Sequence, residues 1–203
     1  MGRLAELDAV LSESLSLPSV PRFGPPGLGV YRFAAEELRA HGHRERASRI
    51  LERGLRFYQA APAEVLAIPR FQHEIAYVQY QLGRLPEARR TYEKLVATKA
   101  LRGGELVSIT YYLAFIATLQ GDLARARELE RALGSDPQPY MNGIHPFNQG
   151  RLASLRGEKE LAMRLLQQAM AEGYAFDHNL HHAFELENLR GYAPYERWLR
   201  PKG

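Results

Sequence analysis

The stretch QLGRLPEARRTY (81–92) places Gly83 five residues ahead of Ala88, with charged residues around both. The same spacing returns as Gly42 to Ala47, Gly121 to Ala126 and Gly157 to Ala162. Seven residues before each glycine stands another small residue: Ala35, Ala76, Ala114 or Gly150. A glycine takes the left-handed conformation at a helix C-terminus without a Cβ penalty, so the chain can reverse within a few residues. Asp122, Pro86 with Glu87, and Glu158 follow three of the glycines and suit a helix start. Small residues on both arms then let two antiparallel helices approach closely. The pattern predicts helical hairpins whose tightest contact is the small pair.

Working outward, nearly every segment from Val30 onward reads as helix. VYRFAAEELRAHG and RERASRILERGLRFY form the first pair, FQHEIAYVQYQLG and LPEARRTYEKLVAT the second. GELVSITYYLAFIATLQG and DLARARELERALG form the third, HPFNQGRLASLRG and EKELAMRLLQQAMAEG the fourth. No β-alternation interrupts them. Upstream, Leu4, Leu7, Leu11 and Leu15 make one apolar stripe with Glu6, Asp8 and Glu13 opposite, an amphipathic helix suited to docking on protein. SLPSVPRFGPPGLG (16–29) follows, and its four prolines predict a semi-rigid connector.

The turn glycines are 41, 38 and 36 residues apart, a period that marks helical repeats. Over residues 30–172 the chain resembles the tetratricopeptide repeat, whose unit has a small residue in its first helix, a turn glycine and an early alanine in its second. Tyr31 matches a preferred aromatic, and Leu51, Tyr92 and Leu166 match a large residue nine beyond the glycine. Glu130 departs from that position, with Leu129 adjacent; the closing proline is mostly missing; and every spacing exceeds the family's. The resemblance implies an all-α, right-handed superhelical solenoid of about four hairpins: segment 1–29 as N-terminal helix and connector, 30–172 as repeats, 173–203 as a C-terminal cap. Leu189, Tyr192, Tyr195, Trp198 and Leu199 suit that cap. The tail LENLRGYAPYERWLRPKG (186–203) is similar to the endings of tetratricopeptide modules in larger bacterial proteins. That likeness implies a module of a longer polypeptide or its free-standing relative.

The resemblance also assigns a concave, peptide-binding groove, formed by the first-helix residues ten, six and three before each glycine. Here these are Arg32, Glu36 and Arg39; His73, Tyr77 and Tyr80; Tyr111, Phe115 and Thr118; Phe147, Arg151 and Ser154. The expected function is non-catalytic capture of a protein or peptide segment, with Tyr77, Tyr80, Tyr111 and Phe115 giving apolar contact and Arg32, Arg39 and Arg151 giving charge. Two readings of the aromatics stay open: an exposed binding surface, or a face covered by the chain's own N-terminal segment. The Lys, Asn and Arg set that clamps a C-terminal carboxylate in some members is absent from these positions.

Other chemistry has thin support. The chain of 203 residues has no cysteine, hence no disulfide, thiolate metal site or cysteine nucleophile. Phosphate-loop, dinucleotide, nucleophile-elbow and kinase motifs are missing. The enzyme alternative is a metal site in DHNLHHAFELE (177–187), where one helix would bring His178, His182 and Glu185 to a shared face. HGHRE (41–45) and HEIAY (73–77) read as structural. The net charge of +4 raises a nucleic-acid alternative, but most arginines stand beside acids, as in RARELER (125–131), which favours solvated, ion-paired helix faces. No apolar run reaches the roughly 20 residues of a spanning helix. No secretory leader is recognisable either. The expectation is therefore a cytoplasmic protein with no cofactor and no membrane partner.

Overall fold

A computed structural model describes residues 29–99, 101–135, 141–176 and 179–200, together with Glu6, Ala9, Val10 and Glu13. Of the expected N-terminal helix only Glu6, Ala9, Val10 and Glu13 are described, all exposed, the last three helical; the proline-rich connector up to residue 28 lies outside the described residues. Among those described there is helix and no strand, and no helix is long and apolar enough to cross a membrane. The chain divides into two compact units, Met1–Leu95 and Val96–Gly203.

The first unit contains α1 (Val30–Ala40), α2 (Arg44–Gln59), a single turn α3 (Ala63–Leu66), α4 (Pro69–Gln81) and most of α5 (Leu85–Ala97). Helix α1 packs on α2, α2 on α4, and α3 on α4. Pro69 opens α4, where its missing N–H costs nothing. The core gathers Tyr31, Ala35, Leu38, Ala47, Ile50, Leu51, Leu55, Tyr58, Phe71 and Val78. Its rings meet edge to face: Tyr58 lies 6.1 Å from Tyr31 and 5.6 Å from Phe71. The buried Tyr58 hydroxyl accepts a hydrogen bond from the Gly29 amide at 3.1 Å.

The second unit contains α6 (Gly103–Leu119), α7 (Leu123–Ser135), α8 (Ile144–Leu155), α9 (Lys159–Ala171), a single turn α10 (Asn179–His182), a 3₁₀ turn (Phe184–Leu189) and α11 (Ala193–Leu199). Within it α6 packs on α7 and on α8, while α8 packs on α9 and on the 3₁₀ turn. Phe147, Met163, Leu166, Leu180, Leu186, Leu189 and Tyr195 form the core, with Tyr192, Trp198 and Leu199 packed against it.

The hairpin reading holds at atomic detail. Gly83 has φ +73°, its amide bonds to the Tyr80 carbonyl, and the Arg84 amide reaches back to the Gln79 carbonyl at 2.9 Å. That pair of bonds is a Schellman motif, which satisfies carbonyls the ending helix leaves open. Gly42, Gly121 and Gly157 repeat the same two bonds with φ between +78° and +84°. Asp122 Oδ1 then accepts the Arg125 amide at 3.1 Å, the N-cap bond expected of it. Ala47, Ala88, Ala126 and Ala162 are all fully buried, as are Ala35, Ala76 and Ala114. Their partner in the last hairpin, Gly150, is confined: a Cβ there would stand 3.2 Å from Leu166 Cδ2 and 3.3 Å from the Ala162 carbonyl oxygen. The departure at Glu130 also has a cause. Its carboxylate pairs with Arg156, which caps the C-terminus of the helix over Ile144–Leu155, while Leu129 takes the buried place.

Candidate functional site

Residues 32, 36 and 39 of α1 are spaced i, i+4, i+7 and so share one face of that helix; 73, 77 and 80 do the same on α4. In the first unit these two faces meet through polar atoms. The Glu36 carboxylate, 4% exposed, accepts the Tyr77 hydroxyl at 2.8 Å, Gln81 Nε2 at 2.9 Å and Arg32 Nη1 at 3.4 Å. Arg32 Nε donates to Glu74 Oε1 at 3.2 Å. Its guanidinium lies 4.0 Å from the Phe33 ring centre and 5.2 Å from that of Tyr77. Arg39 Nη2 donates to the Gln81 carbonyl at the end of α4, at 3.1 Å, where a cation also suits the helix dipole.

Burial sets the protonation here. His73 sits against the Tyr92 and Tyr77 rings. Desolvation first, then the Arg32 and Arg70 charges, push it down to about 4, so its ring is neutral at pH 7. Burial raises the Glu74 carboxyl, and the Arg32 charge and hydrogen bond oppose the rise.

The corresponding face of the second unit is closed. The Tyr111 hydroxyl lies 3.0 Å from His145 Nδ1; burial, then the Glu130 charge, push its phenol above the ordinary range. Thr118 donates within its own helix to the Ala114 carbonyl at 2.9 Å. Phe147 stacks on Tyr174 with centroids 4.0 Å apart. Arg151 is buried, with Nη2 and Nε on the two Glu185 oxygens at 2.8 and 3.3 Å and Nη1 on Asn148 Oδ1 at 2.7 Å. Its guanidinium rests 4.4 Å from the centre of the Phe115 ring. Ser154 is fully buried, and its carbonyl accepts Asn188 Nδ2 at 2.9 Å.

These positions correct the expected groove. Glu36, Tyr80, Tyr111, Phe115, Phe147, Arg151 and Ser154 are interior, and only Arg32, Arg39, His73, Tyr77 and Thr118 keep a partly open edge. The expected exposed aromatic cluster of Tyr77, Tyr80, Tyr111 and Phe115 therefore reduces to Tyr77. The physical reason is that first-helix side chains are spent on the first helix of the next layer: α1 to α4, and α8 to the 3₁₀ turn. The residues that complete the pairings, Glu74, Gln81, Asn148, Glu185 and Asn188, escaped the groove reading. One signal was present in the sequence. Arg151 to Glu185 and Ser154 to Asn188 are each one repeat length, 34 residues, apart.

The metal alternative meets a second correction. His178 lies outside the described residues. His182 ends α10, Ala183 turns to an extended conformation, and Glu185 belongs to the 3₁₀ turn, so no single helix presents the set. Both Glu185 oxygens are held by Arg151. Among the described residues no group of three or more His, Asp or Glu side chains could hold a metal ion.

The chain matches no protein-family model, no curated protein and no solved structure.

Proposed function

We propose that this chain is a tetratricopeptide-like, non-catalytic interaction module that binds a protein or peptide segment on the first-helix face of its first unit. What supports the reading is the register of its side-chain links. In the first unit α1 joins α4 at offsets of 41, 42 and 45 residues, against the 41 that separate Gly42 from Gly83. In the second unit Tyr111 meets His145, Arg151 meets Glu185 and Asn188 meets Ser154, each at an offset of 34. Links between successive segments at offsets close to the local turn-glycine spacings of 41, 36 and 34 residues are what stacked hairpins produce.

The repeat extends past residue 172. Gly191, with φ +76°, follows Gly157 by 34 residues and separates the 3₁₀ turn from α11. Residues 184–199 are a truncated fifth hairpin that covers the apolar end of the fourth.

The binding edge is Arg32, Arg39, His73 and Tyr77: an aromatic ring with cations beside it, the composition of interface hot spots. A displayed peptide library panned on the immobilised chain tests this, with Tyr77→Ala/Arg39→Ala as the counter-target. Enriched peptides should bind that variant at least about tenfold more weakly, the loss of one or two hot-spot contacts, at a temperature where its helical signal shows it still folded. No enrichment, or equal binding to the variant, refutes the proposal.

A further inference from the structure

The C-terminal end of the second unit carries a surface independent of the α1 and α4 face. Phe176 is 54% exposed, and its ring meets Trp198 of α11 edge to face, with centroids 5.5 Å apart. On its other side Trp198 contacts the buried Tyr195 ring at 6.1 Å, so the indole is held in place while one edge stays open. Arg197 and Arg200 flank it and are exposed, with no ion pair among the described residues. The nearby carboxylates have other duties: Glu196 Oε1 accepts the Gly191 amide at 3.0 Å, and Glu160 Oε1 accepts the Tyr192 hydroxyl at 3.2 Å.

Residues 190–203 carry Arg190, Arg197, Arg200 and Lys202 against one acid, Glu196, a net of three positive charges out of four for the chain. Several other arginines pair with carboxylates, as Arg84 does with Glu52, Arg89 with Glu93 and Arg125 with Glu128.

We propose that Phe176, Trp198, Arg197 and Arg200 form a docking site for an acidic protein segment that inserts an aliphatic side chain against the aromatic pair. The ring pair supplies the desolvated anchor and the arginines supply bidentate carboxylate contacts, the two features that Trp and Arg contribute to interfaces. A second copy of this chain is a poor occupant, since like charges would face each other.

Trp198 is the chain's single tryptophan, so its emission reports this site alone. The test titrates the full chain with the synthetic peptide EEEELLEEEE. A saturable blue shift is expected, together with no shift from KKKKLLKKKK. Combining Arg197→Glu with Arg200→Glu should weaken binding roughly tenfold or more without altering the melting temperature, and Phe176→Ser should weaken it too. Tyr77→Ala should leave it unchanged, which separates this site from the α1 and α4 face. Absence of a saturable shift, equal binding by the Arg197→Glu/Arg200→Glu variant, or an equal response to oligodeoxythymidine or phosphatidylserine vesicles would overturn the proposal.

Discussion

The α1 and α4 face of the first unit and the α6 and α8 face of the second are built on the same plan and end differently. In the first unit the links are polar throughout, and Arg32, Arg39, His73 and Tyr77 retain open edges. In the second, Tyr111, Phe115 and Phe147 bury their rings, and Arg151 is enclosed by Glu185, Asn148 and Phe115. The difference teaches that a repeat position assigns a direction, and the neighbour one layer on decides whether that direction is surface or core. Arg32 and Phe147 illustrate it: both sit ten before a turn glycine, and only Phe147 is enclosed, stacked on Tyr174.

The largest test of that contrast is truncation of the enclosed rings. Phe115→Ala should cost roughly 3–5 kcal/mol in urea denaturation, as expected for a fully buried aromatic, and Tyr111→Ala a similar amount. A loss below roughly 1 kcal/mol would mean the second unit's face is open after all. Next, Arg151→Met should destabilise by roughly 3–5 kcal/mol because it strands the Glu185 charge. Adding Glu185→Leu should recover most of that loss, and failure to recover would assign the cost to packing instead.

The first unit should respond to acid. His73 is held neutral with a folded value of about 4 against an ordinary 6.5, so the unfolded chain binds more protons between those values. Its contribution to stability is full above about pH 6.5 and declines as pH falls towards 4. His73→Phe should flatten the melting temperature against pH over that window. An unchanged slope would mean that the ring is protonated in the fold. The smallest effect belongs to Tyr77→Phe, which removes one of several hydrogen bonds to Glu36 and should cost about 0.5–1.5 kcal/mol.

Much of the fold was legible because it is written locally. Helix, reversal and small-residue contact all follow from Gly83, Ala88 and their equivalents, whose effects act within a few residues. The site was legible only in part. The direction of Tyr111 and Arg151 follows from helical spacing, but their burial depends on His145 and Glu185, 34 residues away. Glu185 was read as a metal ligand because a helix over 177–187 would align it with His182, and the break at Ala183 removes that alignment. The tail charge was present in the sequence as well. What the structure adds is that Arg197 and Arg200 are exposed beside the Phe176 and Trp198 ring pair.

By itself the sequence determined the helices, the four glycine reversals and the small residues buried on either side of them, because backbone conformation and close approach are properties of neighbours along the chain. Tertiary structure alone decided which first-helix residues reach solvent and that Glu185 answers Arg151, whereas Leu189, Tyr192, Tyr195, Trp198 and Leu199 pack on the last hairpin as their sequence suggests. Burial and charge pairing are set by whichever distant segment arrives, and no local pattern encodes that arrival.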